Sequence, residues 1–363
     1  MSAPSVSKVL VMAGGTGGHV FPALAVAREL REQGADVIWL GTARGIESRV
    51  VPEAGIPLFF LRVEGVRGRG IKGLLKAPFL IIGAIAEALR LIKKEKPDVV
   101  IGFGGFASGP GGIAARLAGK PLLIHEQNAV PGTTNRLLAP LARRVLTAFP
   151  VSLRNSITVG NPVRSDIAAL PAPAIRYLAR NNEKQPLKLL ILGGSLGALA
   201  INELIPQAIA LLDEAQRPDV WHQAGEKHWQ ATGQRYQDVG VTAKVDAFIG
   251  DMSQAYGWAD LIICRAGALT VSEVMAAGVA AIFIPLPTAI DDHQTFNANV
   301  LVEAGAARSF PQRALTAADL AALLTNELSE RELLLTMAEK ARQLARPDAA
   351  AEVSACCLEV ANG

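Results

Sequence analysis

Short apolar runs recur along the chain, each pair separated by enough residues for one helix. In the first half they cover 8–13, 36–41, 57–63, 98–103, 121–126, 144–148 and 157–160; in the second, 187–193, 219–224, 243–248, 260–264 and 280–285. They are near-continuous in Val, Ile and Leu rather than alternating, which is how a strand reads when both faces of a parallel sheet are covered. Helical periodicity fills the gaps, so the pattern predicts βαβ units and doubly wound sheets. From about Leu328 to Val360 the pattern is helical, with a break at Arg346-Pro347, where Pro347 suits the first turn of a new helix.

Two of these runs end in glycine loops. Val9 to Met12 leads into Gly14-Gly15-Thr16-Gly17-Gly18-His19 and then a helical pattern; Leu189 to Leu192 leads into Gly193-Gly194-Ser195-Leu196-Gly197. A strand, a glycine loop and a helix start aim backbone N–H groups and a positive helix end at an anion. A chain of 363 residues exceeds one ordinary core. The repeat therefore predicts an α/β protein of two Rossmann-like domains facing across a cleft, each with an anion site. The boundary is expected at Gly160 to Arg164, or in the Pro- and Asn-rich segment 168–186.

Polar clusters fall just after the strand runs, at 14–19, 102–112, 125–128, 160–164, 193–197, 248–252, 265–273 and 287–294. Open α/β sheets bind ligands outside the carboxyl ends of their strands, so these clusters are the candidate site.

Charge sharpens the division. Residues 1–163 hold 20 Lys and Arg against 10 Asp and Glu, a net of +10, whereas residues 164–363 hold 16 against 23, a net of −7. The first half is thus expected to meet something anionic. No helix-turn-helix, zinc-finger or base-stacking motif points to nucleic acid. Three cysteines, Cys264, Cys356 and Cys357, fit neither a disulfide framework nor a zinc site and suggest a reducing, cytoplasmic compartment. No signal peptide pattern and no apolar stretch of about 20 residues is present. The segment 71–96 carries an apolar surplus, from Leu74 to Ile92, ringed by Lys72, Lys76, Arg90, Lys93, Lys94 and Lys96 and preceded by Arg62, Arg67 and Arg69. It reads either as a crossover helix packed on the core or as a surface for an anionic membrane.

The chemistry of the clusters can be read residue by residue. A dinucleotide fingerprint needs an acid at the end of the second strand, and Gly41-Thr42-Ala43-Arg44 has none. His19 beside the first anion loop is a candidate general base. Gly102 to Gly112 has six glycines among eleven residues and reads as a second phosphate nest, or as a loop without a ligand. His125-Glu126-Gln127-Asn128 reads as a sugar-binding group, with Asn128 suited to an acetamido or hydroxyl partner, or as a network bracing the turn at Pro131-Gly132. Arg164 offers a fixed charge to a diphosphate. Glu273 reads as a ribose ligand, although Thr270-x-x-Glu273 also matches a capping box. Asp291 reads as the cap of the next helix, and Gln294 suits sugar hydroxyls.

Together GGTGGHVFP (14–22), FGGFASGPGG (103–112), HEQNAVPG (125–132), GNPVR (160–164), GGSLGA (193–198), RAGALTVSE (265–273) and DDHQTFNA (291–298) resemble, in order, the motifs of the MurG family of bacterial N-acetylglucosaminyltransferases. The resemblance covers nearly the whole chain. It implies the GT-B fold, with residues 1–163 as the acceptor and membrane-facing domain and residues 164–345 as the donor domain. A final segment, 346–363, would pack back on the first domain.

It further implies inverting, metal-independent transfer of GlcNAc from UDP-GlcNAc to the 4-hydroxyl of the muramoyl sugar of lipid I, with no cofactor. The substrate-binding residues it implies begin with Thr16, Gly17 and Gly18 at the lipid diphosphate, joined there by Gly14, Gly15, Gly104, Gly105, Ser108, Gly109 and Glu126. On the donor, Ile249 would read uracil through its backbone and Glu273 would bind the ribose. Arg164, Ser195, Leu269 and Thr270, within the stretch Ala268, Leu269, Thr270, Val271, Ser272 and Glu273, would meet the diphosphate. Asn128 and Gln294, with His293 nearby, would meet the GlcNAc. Leu196 stands where relatives often carry a polar residue, which suggests that this loop binds through its backbone. His19 would be the catalytic base, with Glu126 its rival.

The partners implied are UDP-GlcNAc, lipid I, an anionic membrane at the cytoplasmic face of the inner membrane, and cell-wall synthesis and division proteins. Domain closure would exclude water from the donor. The alternatives are a UDP-GlcNAc 2-epimerase of the same fold, a dinucleotide oxidoreductase and a non-catalytic nucleotide sensor.

Overall fold

The computed structural model describes residues 6–62, 70–180, 185–194, 197–326 and 329–363. Of the residues singled out above, Arg67, Arg69, Ser195, Leu196 and Leu328 lie outside the described residues, as do the side chains of α3 before Pro78. The chain divides into two compact units, Met1–Val163 with Arg346–Gly363, and Arg164–Ala345.

The first unit holds a seven-stranded sheet. Its strands are β1 (Lys8–Met12), β2 (Asp36–Gly41), β3 (Leu58–Phe60), β4 (Val99–Gly102), β5 (Leu122–Glu126), β6 (Arg144–Thr147) and β7 (Ser156–Thr158). Every pairing is parallel, in the order β3-β2-β1-β4-β5-β6-β7. The helices are α1 (Gly17–Glu32), α2 (Glu47–Glu53), α3 (Gly70–Glu95), α4 (Gly105–Leu117) and α5 (Thr133–Leu138).

The second unit begins with α6 (Ser165–Ala168) and α7 (Pro173–Leu178). Its sheet comprises β8 (Lys188–Leu192), β9 (Asp219–Gln223), β10 (Lys244–Asp246), β11 (Leu261–Cys264), β12 (Ala280–Phe283) and β13 (Ala307–Ser309). The order is β10-β9-β8-β11-β12-β13, again parallel throughout. Helices α8 (Leu199–Ala210), α9 (Trp229–Asp238), α10 (Met252–Trp258), α11 (Ala268–Ala277), α12 (His293–Glu303), α13 (Ala317–Asn326) and α14 (Arg331–Gln343) complete it. Helix α15 (Ala349–Asn362) returns to the first unit, where Val353, Cys357 and Val360 enter the core formed by α1 and one face of the sheet. Pro347 stands in the turn before α15, with Asp348 at the cap position, so the helix starts two residues beyond the proline.

Twelve of the strands coincide with the apolar runs. β13 has the sequence Ala-Arg-Ser and carries no apolar run; it forms because the edge of β12 offers unpaired backbone groups. The sequence 102–112, read as one loop, is loop only to Gly104: from Gly105 it is the start of α4. The glycines inside α4 give room instead. A Cβ on Gly112 would stand 2.8 Å from Leu138, and one on Gly111 would strike Met12, so α4 packs closely on β1 and α5.

Candidate functional site

In each sheet the strand order reverses direction at one place, and there the loops after two neighbouring strands diverge to leave a crevice. In the first sheet that place lies between β1 and β4, and the loops leaving them are 13–16 and 103–104. In the second it lies between β8 and β11, and the loops leaving them begin at Gly193 and Arg265. The glycine-rich motifs thus fall at the two switch points, where an open α/β sheet binds its ligands.

The first crevice is built by close backbone contact. Gly15, Gly104 and Gly105 have φ of +97°, +95° and +78°. A Cβ on Gly105 would collide with the carbonyl oxygen of Gly14, so the two loops meet backbone to backbone. Thr16 is extended and caps α1, and its carbonyl accepts the N–H of His19 and Val20 at 3.1 and 3.2 Å. A helix start leaves its first N–H groups, here those of Gly17 and Gly18, without an intrahelical acceptor. The half-buried His19 ring lies against Gly104, where a Cβ would stand 3.2 Å from Nε2.

Several candidates point inward. Ser108 is buried, and its hydroxyl reaches the carbonyls of Met12 (3.0 Å) and Gly104 (2.6 Å) and accepts the Gly104 N–H. It ties β1 to the second loop rather than facing solvent. Gly109 lies within α4, against the Thr134 methyl. Glu126 is buried and accepts four bonds: from Asn128 N and Nδ2, Gly132 N and Asn135 Nδ2. This is the bracing network of the 131–132 turn. His125 donates from Nε2 to the Gly160 carbonyl (2.9 Å) and accepts at Nδ1 from Gln127, the tautomer that a carbonyl partner requires. Burial lowers its pKa to about 4, so it stays neutral.

The second crevice contains a buried carboxylate. Helix α11 starts at Ala268 with Gly267 as its cap, so Thr270 lies inside the first turn and the capping box does not form. Glu273 instead accepts a bond from the buried Tyr256 hydroxyl (3.0 Å), and Arg164 Nη2 stands 3.9 Å from its other oxygen. Burial drives its pKa up to about 7 against the opposing pull of Arg164 and Tyr256. Ala268, Val271 and Ser272 are buried, and Ser272 donates back to the Ala268 carbonyl, whereas Leu269 and Thr270 are partly exposed on the first turn.

The N–H of Ile249 is taken by Gln223 Oε1 at 3.0 Å. Gln294 accepts the Leu286 N–H through Oε1 (2.9 Å), which leaves its amide nitrogen for a ligand. Asp292, not Asp291, holds the cap position of α12. Tyr256 and Gln223 carry no signal in the sequence, because neither belongs to a motif of its own. Among the described residues no cluster of three His, Cys, Asp or Glu side chains is arranged to hold a metal.

A model of the glycosyltransferase family 28 N-terminal domain matches residues 9–147, and one of the family 28 C-terminal domain matches residues 188–353. The UDP-N-acetylglucosamine–N-acetylmuramyl-(pentapeptide) pyrophosphoryl-undecaprenol N-acetylglucosamine transferase of Cellvibrio japonicus is 62% identical over 360 residues, covering 98% of this chain and 99% of its own. The protein of the same name from Pseudomonas fluorescens Pf-5 is 54% identical over 360 residues, with the same coverage. Among solved structures, that of Acinetobacter baumannii MurG superposes with a TM-score of 0.84 at 46% identity, covering 97% of this chain and 99% of that one. A co-structure of Staphylococcus aureus MnaA with UDP gives 0.65 at 14% identity, covering 96% and 95%, a likeness of fold alone.

Proposed function

The chain belongs to glycosyltransferase family 28, and from that membership we infer that it transfers N-acetylglucosamine from UDP-GlcNAc to the muramyl sugar of lipid I, giving lipid II for peptidoglycan. The observation that supports this most directly is the pair of glycine-lined crevices at the switch points of the two sheets, suited to two diphosphates, one on each substrate. The relatives above carry the transferase name, which weighs against the 2-epimerase alternative.

In this reading the unit 164–345 holds the donor. Glu273 accepts the ribose hydroxyls, Arg164 and the first turn of α11 meet the diphosphate, and the amide nitrogen of Gln294 meets the sugar. Ser195 belongs to the same diphosphate loop. The carbonyl of Ile249 faces uracil, since Gln223 holds its N–H. The unit 1–163 holds the acceptor diphosphate on Thr16, Gly17, Gly18 and the Gly104-Gly105 turn. His19 takes the proton of the attacking 4-hydroxyl, and inversion follows from a single in-line displacement. The helix N-termini and Arg164 stabilise the departing UDP electrostatically. Ser108 and Glu126 serve by holding their loops in shape.

UDP release measured with and without a short-chain lipid I analogue tests the reading. Release should require the acceptor, and radiolabel from UDP-GlcNAc should enter a lipid-soluble product. UDP release at the same rate without acceptor would defeat it.

The reading also places the chain at the cytoplasmic face of the inner membrane. Among the described residues no helix is long and apolar enough to cross a membrane. Helix α3 buries Ala84, Ala88 and Ile92, yet leaves Phe79 and Ile82 exposed by 78% and 63%, with Leu80 and Ile81 beside them. The surplus is thus not spent on the core, and Arg90, Lys93 and Lys94 follow on the same helix. Such a surface suits anionic lipid, where each basic residue contributes about 1 kcal/mol. Replacing Phe79 and Ile82 together by Glu is expected to abolish flotation with anionic vesicles at low salt while sparing turnover of a short-chain acceptor. Unchanged flotation would rule out this surface.

A further inference from the structure

We propose that Glu47 is a positioning residue for the acceptor crevice: a resident carboxylate that holds the first glycine loop from behind and so fixes which of its N–H groups face a ligand diphosphate. The proposal rests on the acceptor role assigned above to the loop 14–18.

Glu47 opens helix α2 and is wholly buried. Its Oε2 accepts the Gly15 N–H at 3.0 Å, and its Oε1 accepts the Thr42 N–H and hydroxyl at 2.8 and 2.7 Å. Three donors converge on the two oxygens, which is what a buried carboxylate needs to replace its water. The surrounding sequence is cut to fit it. A Cβ on Gly14 would stand 2.5 Å from Oε1 and one on Gly41 2.7 Å from Cγ, and one on Gly45 would strike the carboxylate itself. Because Glu47 is pinned by its donors, it cannot swing aside, so these three glycines give it room. Gly15 is different: a Cβ there would meet nothing within 4 Å, and its φ of +97° is the requirement. That conformation turns the Gly15 N–H inward onto Glu47.

The loop is thereby divided. Its Gly15 N–H is bonded to the protein's own carboxylate, and the start of α1 keeps the N–H groups of Gly17 and Gly18 for a ligand. Thr42 connects the same carboxylate to the end of β2, so the loop is held to the strand that pairs with β1. Glu47 also stands near the end of the second strand, where a dinucleotide fold keeps its ribose acid. Here both oxygens are turned into the backbone, which agrees with the absence of that fingerprint.

Glutamine at this position keeps the shape but offers one accepting oxygen, so a backbone N–H must face an amide NH2. The experiment measures KM for a soluble lipid I analogue and for UDP-GlcNAc, with kcat and calorimetric UDP affinity, in wild type, Glu47→Gln and Thr42→Val. For Glu47→Gln the acceptor KM should rise about ten- to a hundredfold, the factor a lost hydrogen bond to a charged group carries. Donor KM and UDP affinity should stay within about twofold, since UDP binds the other unit. Thr42→Val removes one donor without changing shape and should raise acceptor KM by about threefold; it carries the test if Glu47→Gln fails to fold. Unchanged or tighter acceptor binding, or equal losses on both substrates, would overturn the proposal. If wild type itself transfers no sugar, the functional reading falls and this one with it; if wild type transfers and the variants match it, only this one falls.

Discussion

Replacing His19 by alanine is expected to lower kcat for transfer by about two to four orders of magnitude, the usual worth of a positioned general base. The nucleophile in the proposed reaction is a sugar hydroxyl, a weak one until its proton is taken. Three groups of the first unit lie near enough in sequence to the glycine loops to be weighed for that task. His125 has both ring nitrogens engaged and its pKa pushed down to about 4, so it is a poor proton acceptor near neutral pH. Glu126 would have to give up some of its four bonds, and with them the 131–132 turn. His19 alone is half-exposed, at the start of α1 with its ring on Gly104. UDP affinity of His19→Ala should match wild type. A kcat within fivefold of wild type would remove His19 from the role and return Glu126 to it.

Glu273→Gln is expected to weaken UDP-GlcNAc binding by about ten- to a hundredfold, because the amide accepts fewer hydrogen bonds than the carboxylate it replaces. The more specific signature is in pH. Burial raises the Glu273 pKa to about 7, so the carboxyl is protonated below that pH and ionised above it. Accepting two ribose hydroxyls requires the ionised form. Affinity should therefore be full above pH 8 and fall as pH drops through 7, by about tenfold at pH 6. The sign follows from the raised value: a carboxyl at its ordinary pKa would show no change in this window. Tyr256→Phe removes a donor to the ionised form and should move the fall to higher pH. Calorimetric titration of UDP from pH 5.5 to 8.5 reads all three proteins. A pH dependence that survives in Glu273→Gln would show that another group titrates.

Much of the candidate site was legible because its signals are local. A glycine loop between an apolar run and a helix start is visible in a few residues, as after Met12 and after Leu192. What was not legible is direction. Ser108, in the polar cluster after β4, and Glu126, at the end of β5, both turn inward onto backbone groups that only the fold brings near. Glu47 lies 32 residues from Gly15, and no feature of Glu-Ser-Arg-Val-Val announces that its carboxylate will be buried. Tyr256 reaches Glu273 from a separate helix. Ile249 reads as a backbone contact for uracil, but the sequence does not show that its N–H is taken by Gln223 on a distant strand.

By itself the sequence determined every strand but β13 and the places where ligands are met, since a strand covered on both faces must be apolar throughout and its carboxyl end must turn through glycine to reach an anion. It determined the loops 14–18 and 193–197 in the same way. The tertiary structure decided the order of the strands in each sheet, hence that loops 88 residues apart in number, at Gly15 and Phe103, border one crevice. It also decided which polar groups there are consumed in holding the crevice and which remain for a ligand. Parallel pairing is a choice among distant partners, and hydrogen-bond supply depends on the neighbours that choice brings, neither of which short-range pattern encodes.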